Sequence, residues 1–409
     1  MRRSLTTLVS TFGVSAVLLS VVGALPQHAP TSELLYLGTR DGVTVVDAGT
    51  GAATLAARDA LPTGDWSRVV HARDIGDNGT IVDALDPSTG DVVRTQRFDT
   101  RLDVRAVSRD GNLVALMPHE PGRYGGDGLY RPASRDETRI IFTRLDGAPA
   151  RTIDLAANVE PEAFSTDNSA LFVIKYSPSL HPDRYRVTRL DLGTGELGDV
   201  YTNEKELQGN MRGVAYTQVL SPDGTRLYTF YKKPNGEAFV HALSLDQQVA
   251  NCVDLPEGFG ADPAAVAITT SPNGEYVVVV DGAARKISEV DAAELRVEHT
   301  RSFRGLPATH DPVVATATGG HVYVSTAHSV VELSRATLRP VSHWSMDGRV
   351  QALEIGASGL LFVAERDRIT AVDPQDRGRG WALKVESGGI RTVSDSLPAT
   401  GKGYVQCAC

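Results

Sequence analysis

One phrase recurs along this chain, and its spacing limits what the chain can fold into. A short strand ends in Asp and runs into a polar turn at VTVVDAGTG (43–51), VDALDPSTG (82–90), FTRLDG (142–147), VTRLDLGTG (187–195), HALSLDQQ (241–248), ISEVDAAE (287–294) and ITAVDPQD (369–376), with Ser in place of Asp at VVELSRAT (330–337). The markers Asp47, Asp86, Asp146, Asp191, Asp246, Asp291, Ser334 and Asp373 stand 39, 60, 45, 55, 45, 43 and 39 residues apart, about 47 on average. A repeat in the forties made of short strands has the period of a β-propeller blade. The physical reason is burial. A lone four-stranded sheet cannot cover both faces, whereas sheets packed face-on around a ring cover both and leave only short edges.

A second phrase, a tight turn entering a strand, alternates with the first: SRDGNLVAL (108–116), STDNSALFV (165–173), SPDGTRLYTF (221–230) and SPNGEYVVVV (271–280), with weaker forms at 63–70, 318–326 and 357–365. Asp, Asn and Gly adopt such turns at low cost, and Asp bonds its own turn backbone. Each repeat then reads as strands A to D: the second phrase joins A to B and the first joins C to D. In the fifth repeat these are VAYTQVL, RLYTFY, AFVHALS and CVDLP. The first repeat begins at its B strand, LLYLGT, and GIRTVSDS (389–396) beyond the last D strand, WALKV, can supply the missing A strand and close the ring. Runs within the repeats alternate apolar and polar residues, and no segment keeps a helical spacing after residue 33. The expected fold is all-β, a single propeller of eight four-stranded blades, seven remaining open if one repeat is degenerate. Residues 1–33 form a signal or anchor with a short linker, 34–396 the propeller and 397–409 a tail.

The exported character is read from the N-terminus. MRR is a short positive stretch, FGVSAVLLSVVGAL (12–25) an apolar core, and Val22-Gly23-Ala24 a small-residue cleavage pattern after Ala24. The same segment, counted from Leu5, is long enough to be retained as an anchor. The expected place is therefore the outer side of the cytoplasmic membrane, the cell envelope or the medium, with membrane contact only through this segment. A formal charge of −9 excludes a nucleic-acid partner in the absence of clustered Lys and Arg. Three cysteines, Cys252, Cys407 and Cys409, are too few for a disulfide framework; one bridge to Cys252 and unpaired thiols are both open.

The S-P-D-G-x-x-L-Y and V-D-x-x-T-G phrases resemble YVTN-type, WD40-like bacterial propellers over residues 34 to 390. VEPEAFSTD (159–167), DRYRVTRLDL (183–192) and AFVHALSLDQ (238–247) resemble exported actinobacterial WD40-like proteins of unassigned function. The resemblance implies the fold and no particular activity, because propellers host many unrelated functions.

Strand alternation puts A–B and C–D turns on one face and B–C and D–A connections on the other. The first face carries the regular turns and is the less promising for binding. The second carries the long connections of consecutive repeats: 118–138, 176–185 and 231–238, with 156–162 and 202–213 between them. Non-repeating loops on a rigid scaffold are where binding residues concentrate. The candidates there are His119, Arg123, Tyr124, Tyr130, Arg131, Glu160, Glu162, Tyr176, His181, Asp183, Arg184 and Tyr185, a mixture of aromatics and Arg typical of interface anchors. This favours a non-catalytic, monomeric scaffold for a protein, peptide or envelope ligand, with no cofactor and no catalytic residues. The alternative is a lactonase- or lyase-like propeller with a divalent metal in the central channel. His119-Glu120, His181-Pro182-Asp183 and His310-Asp311 place imidazole beside carboxylate on the long-loop face, and Glu160 and Glu162 flank Pro161 near the channel. Solvated surface groups are the readier explanation of the same residues. No G-x-S-x-G elbow or close-spaced metal motif is present.

Overall fold

The computed structural model describes residues 33–393 apart from 40–41, 77–78, 121–122, 125–129, 132, 145–147, 181–183, 203–210, 212, 304–307, 376–378 and 385–388. The N-terminal segment, Cys407 and Cys409, and the candidates His181 and Asp183 lie outside those residues. Among the described residues no helix is long and apolar enough to cross a membrane.

Eight blade sheets follow one another along the chain, seven of four antiparallel strands and one, in blade five, whose four antiparallel strands gain a short fifth, Tyr201–Thr202, in parallel beside Val249–Asp254, so the ring has eight blades. The A and C strands of blade five, Val214–Leu220 and Ala238–Ser244, fall where the turn phrases place them. Closure also follows the expectation. The inner strand of blade one is Gly389–Val393, paired with Leu34–Thr39 from Leu34↔Val393 to Gly38↔Gly389. A second tie reinforces it: the Glu33 carboxylate accepts from Ala357 N at 2.7 Å and Ser358 Oγ at 2.9 Å in the A–B turn of blade eight.

The core lies between blades rather than in one centre. Separate apolar clusters fill the interfaces of blades one and two (Tyr36, Val45, Trp66), two and three (Val70, Val82, Leu116), three and four (Ile140, Phe164, Val173), and four and five (Phe172, Leu227, Leu243). Others fill five and six (Phe230, Val240, Ile268), six and seven (Val280, Val324), seven and eight (Val330, Leu361), and eight and one (Leu37, Phe362). Here the expected alternation fails for the middle strands. Tyr276–Asp281 and Ala238–Ser244 are buried almost throughout, because a strand sandwiched between two neighbouring blades has no solvent face. The outer strands keep solvent contact; Val92–Phe98 has no fully buried residue.

Both turn phrases are built on side-chain caps. Ser108, Ser165 and Ser221 donate to Asp110, Asp167 and Asp223 at 2.6–2.7 Å and accept from the amides of Leu113, Ala170 and Arg226 at 2.9 Å. In the C–D turns Asp47 accepts from Thr50 N at 2.7 Å, Asp86 from Ser88 N at 2.8 Å and Asp191 from Gly193 N at 2.9 Å. At Asp86, Asp110, Asp167, Asp191 and Asp223 such bonds favour the ionised carboxylate. At Asp110 partial burial pushes the carboxyl up, but bonds from Ser108, Asn112 and Asn168 outweigh it and bring it from 3.8 down to about 2. At Asp167 the Ser165 hydroxyl leads the same displacement to about 2.

A folded carboxyl held below its unfolded value stabilises fully above the unfolded value and loses that stabilisation as pH falls through the folded one. The stability that Asp110 adds over Asp110→Asn is therefore expected to be constant above about pH 4 and to fade between about 4 and 2. Urea titrations of both chains across that range check this; a difference undiminished at pH 2 contradicts it.

Candidate functional site

On the long-connection face, the three enlarged connections are joined to one another. Within the first, a small antiparallel hairpin pairs Arg123–Tyr124 with Tyr130–Arg131, in the register Arg123↔Arg131 and Tyr124↔Tyr130. Asn158, at the start of the inner strand of blade four (Asn158–Phe164), donates through Nδ2 to Ala133 O and Ser179 O, both at 2.9 Å. It thereby ties the blade-three connection to that of blade four. Tyr176 and Tyr185 carry the link onward. Their rings lie 6.1 Å apart, and Tyr185 stacks at 6.4 Å on Tyr231 of blade five. Tyr185 also donates to Gly213 O at 2.6 Å, and Arg184 beside it is exposed.

Glu160 is committed to structure. Arg135, itself buried, donates to Glu160 Oε1 at 2.5 Å, Val159 O at 2.7 Å, Glu120 Oε2 at 3.1 Å and Thr138 Oγ1 at 3.1 Å. This pins the far end of the long blade-three connection against blade four.

The histidines take partners other than their sequence neighbours. His119 Nδ1 lies 2.9 Å from Asp103, and His310 Nδ1 lies 2.9 Å from Asp262. Asp311, the neighbour of His310, instead accepts from Arg349 at 2.7 Å. The Asp262 and Asp311 contacts tie successive D–A connections together. Among the described residues no three His, Cys, Asp or Glu side chains gather as a zinc site would require.

A cavity of about 70 Å³ lies elsewhere, under the A–B turns of blades two to five. Its walls include Leu61, Trp66, Leu220 and Leu227, and its polar groups include Arg105 and Glu162. Both polar residues sit at β-bulges. In blade three the register jumps between Val104 and Ala106, leaving Arg105 unpaired in the ladder. In blade four it jumps between Pro161 and Ala163, leaving out Glu162. A bulge adds one residue and re-aims its side chain. It also breaks the two-residue alternation, so Glu160 and Glu162 go different ways: one to Arg135, the other to the cavity. Blade five has a third such bulge at Tyr216, which does not line the cavity. Arg109 Nη1 reaches across to Asp223 O and roofs the turn side. Gly224 there has φ of 69°, and an added Cβ would lie 3.2 Å from the Arg109 guanidinium. The glycine is needed for both reasons.

Arg105 and Glu162 are both partly exposed, and among the described residues no ion pair joins them. The closest carboxylate to Arg105 is Asp103, 3.7 Å from Nη2, and the Arg105 Nε is buried without a partner. Glu162 has no hydrogen-bond or ion-pair partner among the described residues, and burial pushes its carboxyl up to about 7. Glu162 is among the candidates legible in the sequence and Arg105 is not. The signal available was a charge in the middle of an inner strand, LDVRAV, where apolar residues pack the neighbouring blades.

No family model matches the chain. Among solved structures, the dihydro-heme d1 dehydrogenase NirN in complex with DHE resembles it with a TM-score of 0.55 and 14% identity, over 91% of this chain and 78% of that one. Apo AztD from Citrobacter koseri resembles it with a TM-score of 0.54 and 14% identity, over 90% of this chain and 100% of that one. Likeness at this identity is likeness of fold.

Proposed function

We propose that this chain is an exported propeller, free or held by its N-terminal segment, that binds a protein, peptide or envelope glycan on its long-connection face. The carrying observation is the fusion of three enlarged connections into one rim through Asn158 and the Tyr176–Tyr185–Tyr231 series. A rim whose loops are fixed to one another loses little conformational freedom on binding, which favours affinity. The register of the hairpin sets two Arg and two Tyr opposite one another in the chain, and these residue types dominate binding energy at interfaces. The export signal puts such a surface among envelope components, and the net charge of −9 is suited to a basic or neutral partner.

The test is crosslinked capture from the native envelope by the full chain and by a variant with Arg123, Tyr124, Tyr130 and Arg131 all changed to Ser. The variant is expected to keep its circular dichroism and lose capture of a defined partner by about 30-fold or more, the effect of removing one strong anchor. Equal capture by both chains overturns the assignment.

A further inference from the structure

A single polar row crosses the whole of blade five. Gln218 stands opposite Thr229, Thr229 opposite His241, and His241 opposite Cys252, one residue from each strand. Gln218, Thr229 and His241 are 6%, 3% and 4% exposed, and Cys252 is half-buried. Alternation along Ala238–Ser244 fixes the face. Val240 and Ala242 pack toward blade six, so Phe239, His241 and Leu243 turn toward blade four, where Leu243 meets Phe172. Among the described residues the His241 side chain makes no hydrogen bond or ion pair; it meets the Tyr231 ring edge-on at 5.8 Å. An imidazole held this deep without a polar partner is costly. Its neighbour across the ladder is a thiol. We propose that His241 and Cys252 form a two-donor site for a monovalent soft metal ion, Cu(I), in the interface of blades four and five.

Geometry and charge narrow the class. Directly opposite residues of an antiparallel pair have Cβ atoms about 4.5–5.5 Å apart. A sulfur and a ring nitrogen on such a pair can share one ion at bond lengths of about 2.3 and 2.0 Å. Thiolate together with imidazole selects copper or zinc. Zinc needs three or four donors, and no third His, Cys, Asp or Glu joins these two among the described residues. The surroundings are soft and apolar: Cys252 and Met211 pack on the same cluster of Ala215, Tyr231 and Phe239, and the Met211 thioether is polarisable. The charge balance decides for a monovalent ion. On binding, the Cys252 thiol releases one proton to solvent and its sulfur donates an electron pair, while His241 donates the lone pair of one ring nitrogen. Cu(I) with one thiolate and one neutral imidazole is uncharged and keeps its oxidation state. A divalent ion would leave a net positive charge in an apolar interface, with the Lys233 ammonium already 5.1 Å from the Phe239 ring. Burial also pushes His241 down to about 4, so at neutral pH no proton competes for its lone pair. The site stands whether or not the long-connection face captures a partner.

The experiment uses the full chain with Cys407→Ser and Cys409→Ser, which leaves Cys252 as its one thiol. Cu(I) is titrated without oxygen against a chromogenic Cu(I) chelator, and Zn(II) against a zinc indicator. One equivalent of Cu(I) is expected to bind with a dissociation constant of about 1 µM or tighter, and Zn(II) at least about tenfold more weakly. Cys252→Ser and His241→Phe should each weaken Cu(I) binding by about tenfold or more, at least the cost of losing an outer-shell partner. X-ray absorption at the copper edge of the parent should show both a sulfur and a nitrogen neighbour. Cu(I) binding weaker than about 1 µM overturns the proposal. So does Zn(II) binding within about tenfold of Cu(I), or a loss of less than about tenfold in either folded variant. Should a variant fail to fold, the absorption spectrum of the parent decides alone, and a copper shell without both sulfur and nitrogen refutes the site.

Discussion

A chain ended at residue 388 is expected to lose the whole ring and not one strand. The missing residues include Gly389–Val393, the inner strand of blade one, whose five register pairs with Leu34–Gly38 are the covalently distant contacts that close the propeller. Without them Leu34–Thr39 becomes an unpaired edge facing the channel, carrying Leu35, Tyr36 and Leu37, all buried in the intact ring. The damage spreads because the core is distributed. Leu35 and Leu37 pack against Phe362 and Ala364 of blade eight, while Tyr36 packs against Trp66 and Val69 of blade two. The Glu33 tie to Ala357 and Ser358 is too small to hold that junction alone, since hydrogen bonds to a charged group contribute about 1.5–3 kcal/mol each. Two of the eight interfaces then open together, against a total stability of about 5–15 kcal/mol. The expected result is aggregated or non-cooperatively melting protein for residues 1–388 and a cooperative transition near that of the parent for residues 1–396. Thermal unfolding followed by circular dichroism, with sedimentation to detect aggregates, checks both. A 1–388 chain that melts at the parent temperature would show that closure is dispensable.

How far this could be read in advance depends on what each feature requires of the chain. The turns were legible because their chemistry is local: Ser and Asp two residues apart bond each other and the next amides, as at Ser221, Asp223 and Arg226, and the same solution recurs in blade after blade. Blade count and the closing strand followed from that recurrence. The inner geometry was not legible in the same way. A bulge depends on register with the next strand, and nothing in LDVRAV or NVEPEAF alone marks Arg105 and Glu162 as the extra residues. For the same reason Glu160 and Glu162 read as one acidic pair, although one meets Arg135 and the other a cavity. That cavity lies beneath the regular turns, on the side the sequence reading set aside. Its walls come from inner strands of four blades, residues about 160 positions apart such as Leu61 and Leu220.

Arg135→Met is expected to be the most destabilising single substitution on the long-connection face, costing about 3–5 kcal/mol. Glu160 is 1% exposed, and Arg135 is its ion-pair partner at 2.5 Å. Removing the guanidinium leaves that carboxylate buried and uncompensated, and also strips a donor from Val159 O. The pair itself need not be strongly stabilising, because desolvation of both charges offsets most of their attraction. The double variant Arg135→Met, Glu160→Leu should therefore recover most of the loss, whereas independent contributions would add. Urea unfolding of the parent, both single variants and the double variant separates these cases; a double variant as unstable as the sum of the singles refutes the buried-pair account. The consequence reaches the binding face. Arg135 anchors the connection that carries the hairpin of Arg123, Tyr124, Tyr130 and Arg131, so the double variant, refolded but unanchored, should still capture partner more weakly than the parent. Restored stability with weakened capture would identify the Arg135–Glu160 pair as the element that fixes the recognition surface in place.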